Sequence, residues 1–180
     1  MKQISPARLD PTSRESISKS SSKKKKPILL VAAGLLFIGF YYIQSLFSLD
    51  ANPIAQYQKD FNYKVITGVV LLFYLYMQWR LFRARENREL KAQRVILNNH
   101  QWQGVIAPLI LYIHTVQLGY GYQWVLTTCF MFTILSGILS PSLFGSKSKL
   151  AYTLWLPIHV LFATSCTLLL FYHVFIVFNY

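Results

Sequence analysis

Four histidines are the residues whose type and spacing point most directly to chemistry. His100 and His114 are 14 residues apart, and His159 and His173 repeat that spacing of 14. An α-helix turns about 100° per residue, so 14 residues make about four turns less 40°. Both histidines of a helix therefore project from nearly the same face, separated by roughly 21 Å along the axis. Two such helices side by side would present two stacked histidine pairs.

Stacked histidine pairs are suited to holding two b-type haems. Each haem iron takes one axial ligand on either side of its plane, and neutral imidazole is a good axial ligand. Facing helices of a bundle are where such cofactor sites are built. Two parallel helices would pair His100 with His159 and His114 with His173, which makes these four residues the predicted cofactor-binding and iron-ligating set. We identify no acid–base or nucleophilic catalytic residue.

The elements that must position these histidines are membrane spans. The chain of 180 residues is 54% hydrophobic yet carries a formal charge of +12. Runs of about 20 apolar residues are long enough to cross a bilayer as helices. We predict an all-α integral membrane helical bundle over residues 27–180, with the haem-binding helices at about 98–118 and 150–178. The five predicted transmembrane helices lie at about 27–49, 63–82, 100–118, 123–139 and 150–178.

Basic residues in the segments between the spans predict the orientation. The N-terminal segment ends in four lysines at 23–26, the loop over 80–94 holds five arginines, and Lys147 and Lys149 precede the fifth span. The other connections have no basic excess, and cytosolic loops are the ones enriched in Lys and Arg. The alternation predicts a multi-pass protein of a bacterial-type inner membrane, with the N-terminus cytosolic and the C-terminus outside. Spans three and five are then parallel, which sets the histidine pairs at matched depths.

The remaining segments carry simpler predictions. Residues 1–26 are polar, serine-rich and basic, and predict a disordered cytosolic tail; contact with anionic lipid is compatible with this, and nucleic-acid binding is not expected. We find no cleavable signal peptide. Both cysteines lie in apolar runs, which argues against a disulfide, and the absence of Cys-x-x-Cys-His excludes covalent c-type haem. The segment 83–97 is compatible with a helical extension of span two, and Pro108 is expected to kink span three.

The predicted inner pair is His100 with His159, on the cytosolic side, and the residues around it are compatible with a flat macrocycle. Gly104 follows His100 by one turn and leaves space there, and Ala163 occupies the equivalent place after His159. Trp102 and Trp155 are near the same site, although ordinary packing or interfacial anchoring explains both tryptophans. Arginines between 80 and 94 have the charge to pair with haem propionates, and the membrane topology explains them equally well.

These residues resemble the ferric reductase-like transmembrane domain superfamily of di-haem cytochromes b. That superfamily includes ferric reductases, the membrane domains of NADPH oxidases and the haem subunit of the bacterial methionine sulfoxide reductase system. The matching segments are His100-Gln-Trp-Gln-Gly104, Ile113-His114-Thr115 and Trp155-Leu-Pro-Ile-His159, within about residues 60–180. The resemblance implies that the four histidines ligate two b haems and that electrons pass between a cytosolic donor, or quinone, and the outer face.

The chain also departs from the larger members of that superfamily. It stops shortly after span five, the usual sixth span is missing, and no Gly-x-Gly-x-x-Gly fingerprint is present. We therefore expect an oxidoreductase component without its own flavin or NAD(P)H domain, which works with a redox partner protein or quinone. Cytochrome b561-type families use similar histidine spacings, so the subfamily stays open.

Two other function classes remain open at this point. The chain could be a haem-free structural or assembly subunit of a membrane complex, with the histidines used in packing or proton movement. It could also be an ion or metal transporter, although the spans lack buried Asp or Glu. A shared zinc or copper site is disfavoured because histidines roughly 21 Å apart cannot share one ion, and one pair alone has too few ligands for a closed zinc site.

Overall fold

The computed structural model describes residues 11–47, 54–86, 90–141, 143–144, 146 and 148–179. Within these ranges the chain forms helices and turns and contains no strand, which confirms the all-helical prediction. A single 3₁₀ turn, Tyr57–Lys59, precedes α2. The α-helices in chain order are α1 (Pro11–Phe47), α2 (Phe61–Gln78), α3 (Arg80–Glu86), α4 (Leu90–His114), α5 (Tyr122–Ile138) and α6 (Lys149–Asn179).

Three segments in the described ranges are long and apolar enough to cross a bilayer. They are Ile28–Phe47 within α1, Phe61–Arg83 over α2 and the start of α3, and Lys149–Asn179, which is α6. Helix α5 is apolar but has 17 residues. Helix α4 has 25 residues, and its N-terminal half is rich in Asn, Gln and basic residues. Helices suited to a bilayer are therefore confirmed, while the count of five spans stays a prediction.

Helix α1 begins earlier than the sequence predicts. Its backbone is helical from Pro11, so residues 11–26 are helical where a disordered tail was expected. Extending an existing helix costs far less than nucleating one, and Lys and Arg are good helix formers, which accounts for the extension. Residues 1–10 lie outside the described residues.

The arginine-rich segment divides between two helices. Helix α3 ends at Glu86 and α4 begins at Leu90, so the part of 83–97 that was expected to extend span two instead opens α4 from Leu90 onward. Residues 87–89 lie outside the described part of the chain. Helix α4 consequently starts before the predicted haem-binding helix at 98.

Helix α4 ends at His114, four residues before the predicted boundary at 118. The chain then turns through Gly119 and Gly121, whose φ angles of 77° and 57° are strained for residues with a side chain. Pro108 lies fully buried within α4, where it lacks the amide hydrogen that would bond the Gly104 carbonyl. The expected kink at Pro108 stays a prediction.

Apolar side chains from five helices form the core between the two ends of the bundle. Helix α6 packs on α5, and α4 packs on α1, α2 and α5. Among the described residues, α4 and α6 have at most slight backbone contact with each other, and the histidine pairs and a cavity lie between them. The buried members of the central cluster are Tyr41, Leu71, Ala107, Leu111, Phe130, Met131, Ile134 and Cys166.

Candidate functional site

The structure brings the four histidines together as two pairs between α4 and α6. The ring centroids of His100 and His159 are 6.3 Å apart, and the two rings are inclined by 84°. The rings of His114 and His173 are 6.5 Å apart and inclined by 87°. Each pair joins α4 to α6, and the order of the pairs requires that the two helices run in the same direction.

The spacing within each pair is suited to two ligands on opposite sides of one metal. An imidazole nitrogen bonds a transition metal at about 2 Å. The ring centroid lies roughly 1 Å behind that nitrogen, given ring bonds of about 1.3 Å. Two imidazoles on either side of one metal therefore hold their centroids about 6 Å apart, which agrees with the observed 6.3 and 6.5 Å.

A cavity of about 460 Å³ is lined by His100 and His159. Most of its wall is apolar, and it reaches from α2 and α4 across to α5 and α6. Gly104 and Ala163 both line it, as their positions one turn after the histidines predict. A Cβ atom added to Gly104 would meet no atom within 4 Å, so this part of the wall is open.

His159 is held on two sides by residues of α5 and α6. The Trp155 indole stacks on its ring, with centroids 5.5 Å apart and planes inclined by 15°. The Trp155 Nε1–H donates to the Ser136 carbonyl at 2.7 Å, and the Ser136 Oγ lies 2.8 Å from His159 Nδ1. Trp155 therefore belongs to the site, whereas Trp102 packs in an apolar cluster with Leu30.

His114 is held by the beginning of α2 and the turn before it. Its Nδ1 lies 3.1 Å from the Thr67 Oγ1. The neighbouring Ile113 carbonyl accepts a hydrogen bond from the Tyr63 hydroxyl at 3.0 Å. The buried Gln58 side chain donates to the Tyr112 carbonyl at 2.6 Å and accepts from the Val116 amide at 3.1 Å. Gln58 thus satisfies backbone groups that the end of α4 leaves without helical partners.

Three further polar contacts lie beside His173 and near His100. His173 Nδ1 lies 3.4 Å from the Tyr122 hydroxyl, at the start of α5. Near His100, the Tyr74 hydroxyl donates to the Gln103 carbonyl, and the Gln78 side-chain amide donates to the Gln103 side chain at 2.9 Å. These bonds tie α2 to α4 within a turn of His100.

Among the arginines between 80 and 94, the structure describes the side chains of Arg80 and Arg83. The Arg83 guanidinium lies over the Tyr76 ring, 4.9 Å from its centroid, which is a cation–π contact rather than a contact with the cavity. The side chains at 84–94 lie outside the described residues. Pairing of these arginines with propionates stays a prediction.

Several site residues were not identified from the sequence. They are Gln58, Tyr63, Thr67, Gly68, Tyr122, Ser136 and Gly137. Each makes its contact across helices, where the relative rotation of the helices decides which side chains meet. One signal was available: a hydroxyl residue followed by glycine interrupts an apolar run at Thr67-Gly68 and at Ser136-Gly137.

Comparison with known proteins leaves the site to be interpreted from its geometry. No family model, curated protein or solved structure matches the chain. Within the described residues, no group of three or more His, Cys, Asp and Glu side chains is arranged to hold a metal ion. The described residues instead hold two separate pairs of histidines.

Proposed function

We propose that the protein is a di-haem b-type cytochrome subunit that carries electrons across a membrane, to or from a partner. The observation that carries this proposal is the two histidine pairs, 6.3 and 6.5 Å between ring centroids, joining the same two helices. His100 and His159 would hold the inner haem b, and His114 and His173 the outer one. When bound, haem supplies a one-electron Fe(III)/Fe(II) couple, and its redox properties are set by its axial ligands.

The surroundings of His100 and His159 support haem more than a small ion. A porphyrin needs apolar space on both sides of the metal, and the cavity beside His100 and His159 provides about 460 Å³ with a largely apolar wall. Two histidines fill the axial positions of a haem iron but leave a zinc ion short of its usual four ligands. With both axial positions taken by protein, such a site suits electron transfer rather than oxygen binding.

The proposed topology has five spans in a bacterial-type inner membrane, with the N-terminus cytosolic and the C-terminus outside. The apolar helices are consistent with a lipid bilayer. Parallel α4 and α6 are expected if α5 crosses the bilayer once between them. The 17 residues of α5 extend roughly 26 Å at 1.5 Å per residue, just below the hydrocarbon thickness of about 30 Å.

The electron donor and acceptor are proposed by chemical class. A ferric reductase-like subunit would exchange electrons with a redox partner protein or with quinone. The described helices account for the membrane part alone. The chain would then act as an oxidoreductase component together with that partner.

Haem content per chain tests the proposal. Protein purified after expression with ample haem supply should give two haems per chain by pyridine haemochrome analysis, and a reduced-minus-oxidised spectrum of a b-type cytochrome. Replacing His114 by alanine should lower the ratio to one, because only the outer pair loses a ligand. Purified protein without haem absorbance would refute the proposal and favour a structural or assembly subunit. A His114→Ala variant with two haems would refute the pairing.

A further inference from the structure

Two dipeptides stand in the same relation to two of the histidines. The chain contains two positions where Ser or Thr is followed by Gly, Thr67-Gly68 and Ser136-Gly137. Thr67-Gly68 lies on α2 against His114, and Ser136-Gly137 lies on α5 against His159. Both Ser/Thr-Gly dipeptides of the chain therefore lie beside a histidine of the candidate site.

The hydroxyl groups decide which ring nitrogen carries the proton. Thr67 Oγ1 donates its single proton to the Tyr63 carbonyl at 2.8 Å, and Ser136 Oγ donates to the Thr133 carbonyl at 2.9 Å. Each hydroxyl oxygen then has only lone pairs left for the nearby histidine. With the hydroxyls bonded in this way, Nδ1 of His114 and of His159 is the atom that carries the ring hydrogen and donates it, at 3.1 and 2.8 Å. Nε2 keeps its lone pair.

The glycines decide how closely each ring approaches the helix. A Cβ atom added to Gly68 would lie 3.2 Å from His114 Cε1, and one added to Gly137 would lie 3.4 Å from His159 Cε1. A contact of 3.2 Å is tighter than most Cβ contacts, so an alanine at 68 would push the His114 ring away from its hydroxyl partner. Cε1 adjoins Nδ1, so Gly68 provides the space that the hydrogen bond to His114 needs, whereas an atom added at Gly137 would be in ordinary contact with His159.

We propose that Thr67-Gly68 and Ser136-Gly137 form hydroxyl–glycine cradles that fix His114 and His159 with Nε2 as the metal-binding atom. The proposal rests on the proposed function, since it assigns these four residues as positioning residues of the two haem sites. A hydrogen bond from the second ring N–H of a ligating histidine sets its tautomer and orientation and raises its basicity. A more basic ligand stabilises the ferric ion, so each cradle lowers the reduction potential of its own site.

The two cradles act on different sites, which makes the test internally controlled. Thr67→Val keeps the shape of the side chain and removes the acceptor beside His114, and Ser136→Ala does the same beside His159. Partners of this kind are typically worth roughly 10- to 100-fold in metal affinity. If the substitution weakens binding of the ferric form alone by about tenfold, the reduction potential rises by about 59 mV for a one-electron couple.

The experiment is a redox titration of the purified holoprotein, together with its haem content. Thr67→Val should raise the potential of the outer haem and leave the inner one unchanged, Ser136→Ala should do the reverse, and Thr67→Ser should restore the wild-type value. Thr153→Val is the matched control, because Thr153 bonds the Lys149 carbonyl one turn back in the same manner and is exposed.

The glycines are tested in the same preparation. Gly68→Ala should reproduce the shift of Thr67→Val, whereas Gly39→Ala should leave both potentials unchanged, since a Cβ atom there meets nothing within 4 Å. A wild-type protein with two haems whose potentials are unmoved by Thr67→Val and Ser136→Ala would overturn the cradles and leave the proposed function standing. Wild-type protein without haem would overturn both.

Discussion

Replacing Gly104 by leucine should separate haem binding from folding. Gly104 lies one turn after His100 and lines the cavity beside it, and a Cβ atom at this position would meet nothing within 4 Å. A leucine side chain therefore fits into the protein without haem. It would occupy the space that a macrocycle held between His100 and His159 needs.

The Gly104→Leu substitution should stabilise the haem-free fold and weaken haem binding at the inner site. Leucine is about 1 kcal/mol more favourable than glycine within a helix. Burial of the leucine side chain adds little further stability, because the lipid that it would otherwise contact is equally apolar. The haem-free fold should gain about 1 kcal/mol. Overfilling a packed site costs typically 1–3 kcal/mol, and since 1.4 kcal/mol is a factor of ten, the inner site should bind haem roughly 10- to 100-fold more weakly.

The assay is haem loss to an excess of a haem-scavenging apoprotein, followed by pyridine haemochrome analysis. One haem per chain should leave the Gly104→Leu variant much faster than it leaves the wild type, while the other is retained at the wild-type rate. Gly39→Leu is the control, since a Cβ atom at Gly39 also meets nothing and the residue does not line the cavity. Unchanged loss of both haems would refute the placement of the inner haem in this cavity.

Two further predictions follow from the ring geometry and from the end of α4. The histidine rings are inclined by 84° and 87°, so oxidised protein should give strongly anisotropic low-spin EPR signals dominated by one low-field feature; a three-line rhombic spectrum from both haems would contradict this geometry. Gln58→Ala removes hydrogen bonds to Tyr112 and Val116 and should lower the free energy of unfolding by about 1–3 kcal/mol. This should be measured as a lower Tm and an earlier loss of the outer haem. Gln56 is exposed, so Gln56→Ala should melt like the wild type.

The sequence contained enough information to pair the histidines, because helical periodicity is a local property. A spacing of 14 determines the face of one helix without knowledge of any other, and loop charges supplied the relative direction. His100 next to His159 and His114 next to His173 follow from those two facts, and the structure has both contacts. Neither the helical periodicity nor the loop charges determine what the histidine pairs bind.

The sequence alone did not predict which side chains contact the histidines, and the reason is physical. Whether Thr67 or a neighbour on α2 meets His114 depends on the rotation of α2 about its axis and on its shift along the axis, and both are set by packing over the whole helix. The helix ends were uncertain for a related reason. Helix α4 ends at His114 because a distant residue, Gln58, and two glycines that allow a turn make the end favourable there.

The hydrogen bonds around the histidines group the helices of the site into two parts, α4 with α2 and α6 with α5, which also pack on each other directly through α4 and α5. Helix α4 is bonded to α2 through Gln103 and His114, and α6 is bonded to α5 through Trp155 and His159. Each pair takes one histidine from either part, and α4 and α6 do not pack closely on each other. Haems bound between them would link the two parts at two levels. Because a ligand that binds only the folded state stabilises it by mass action, the proposed haems would contribute to the stability of the bundle as well as to electron transfer.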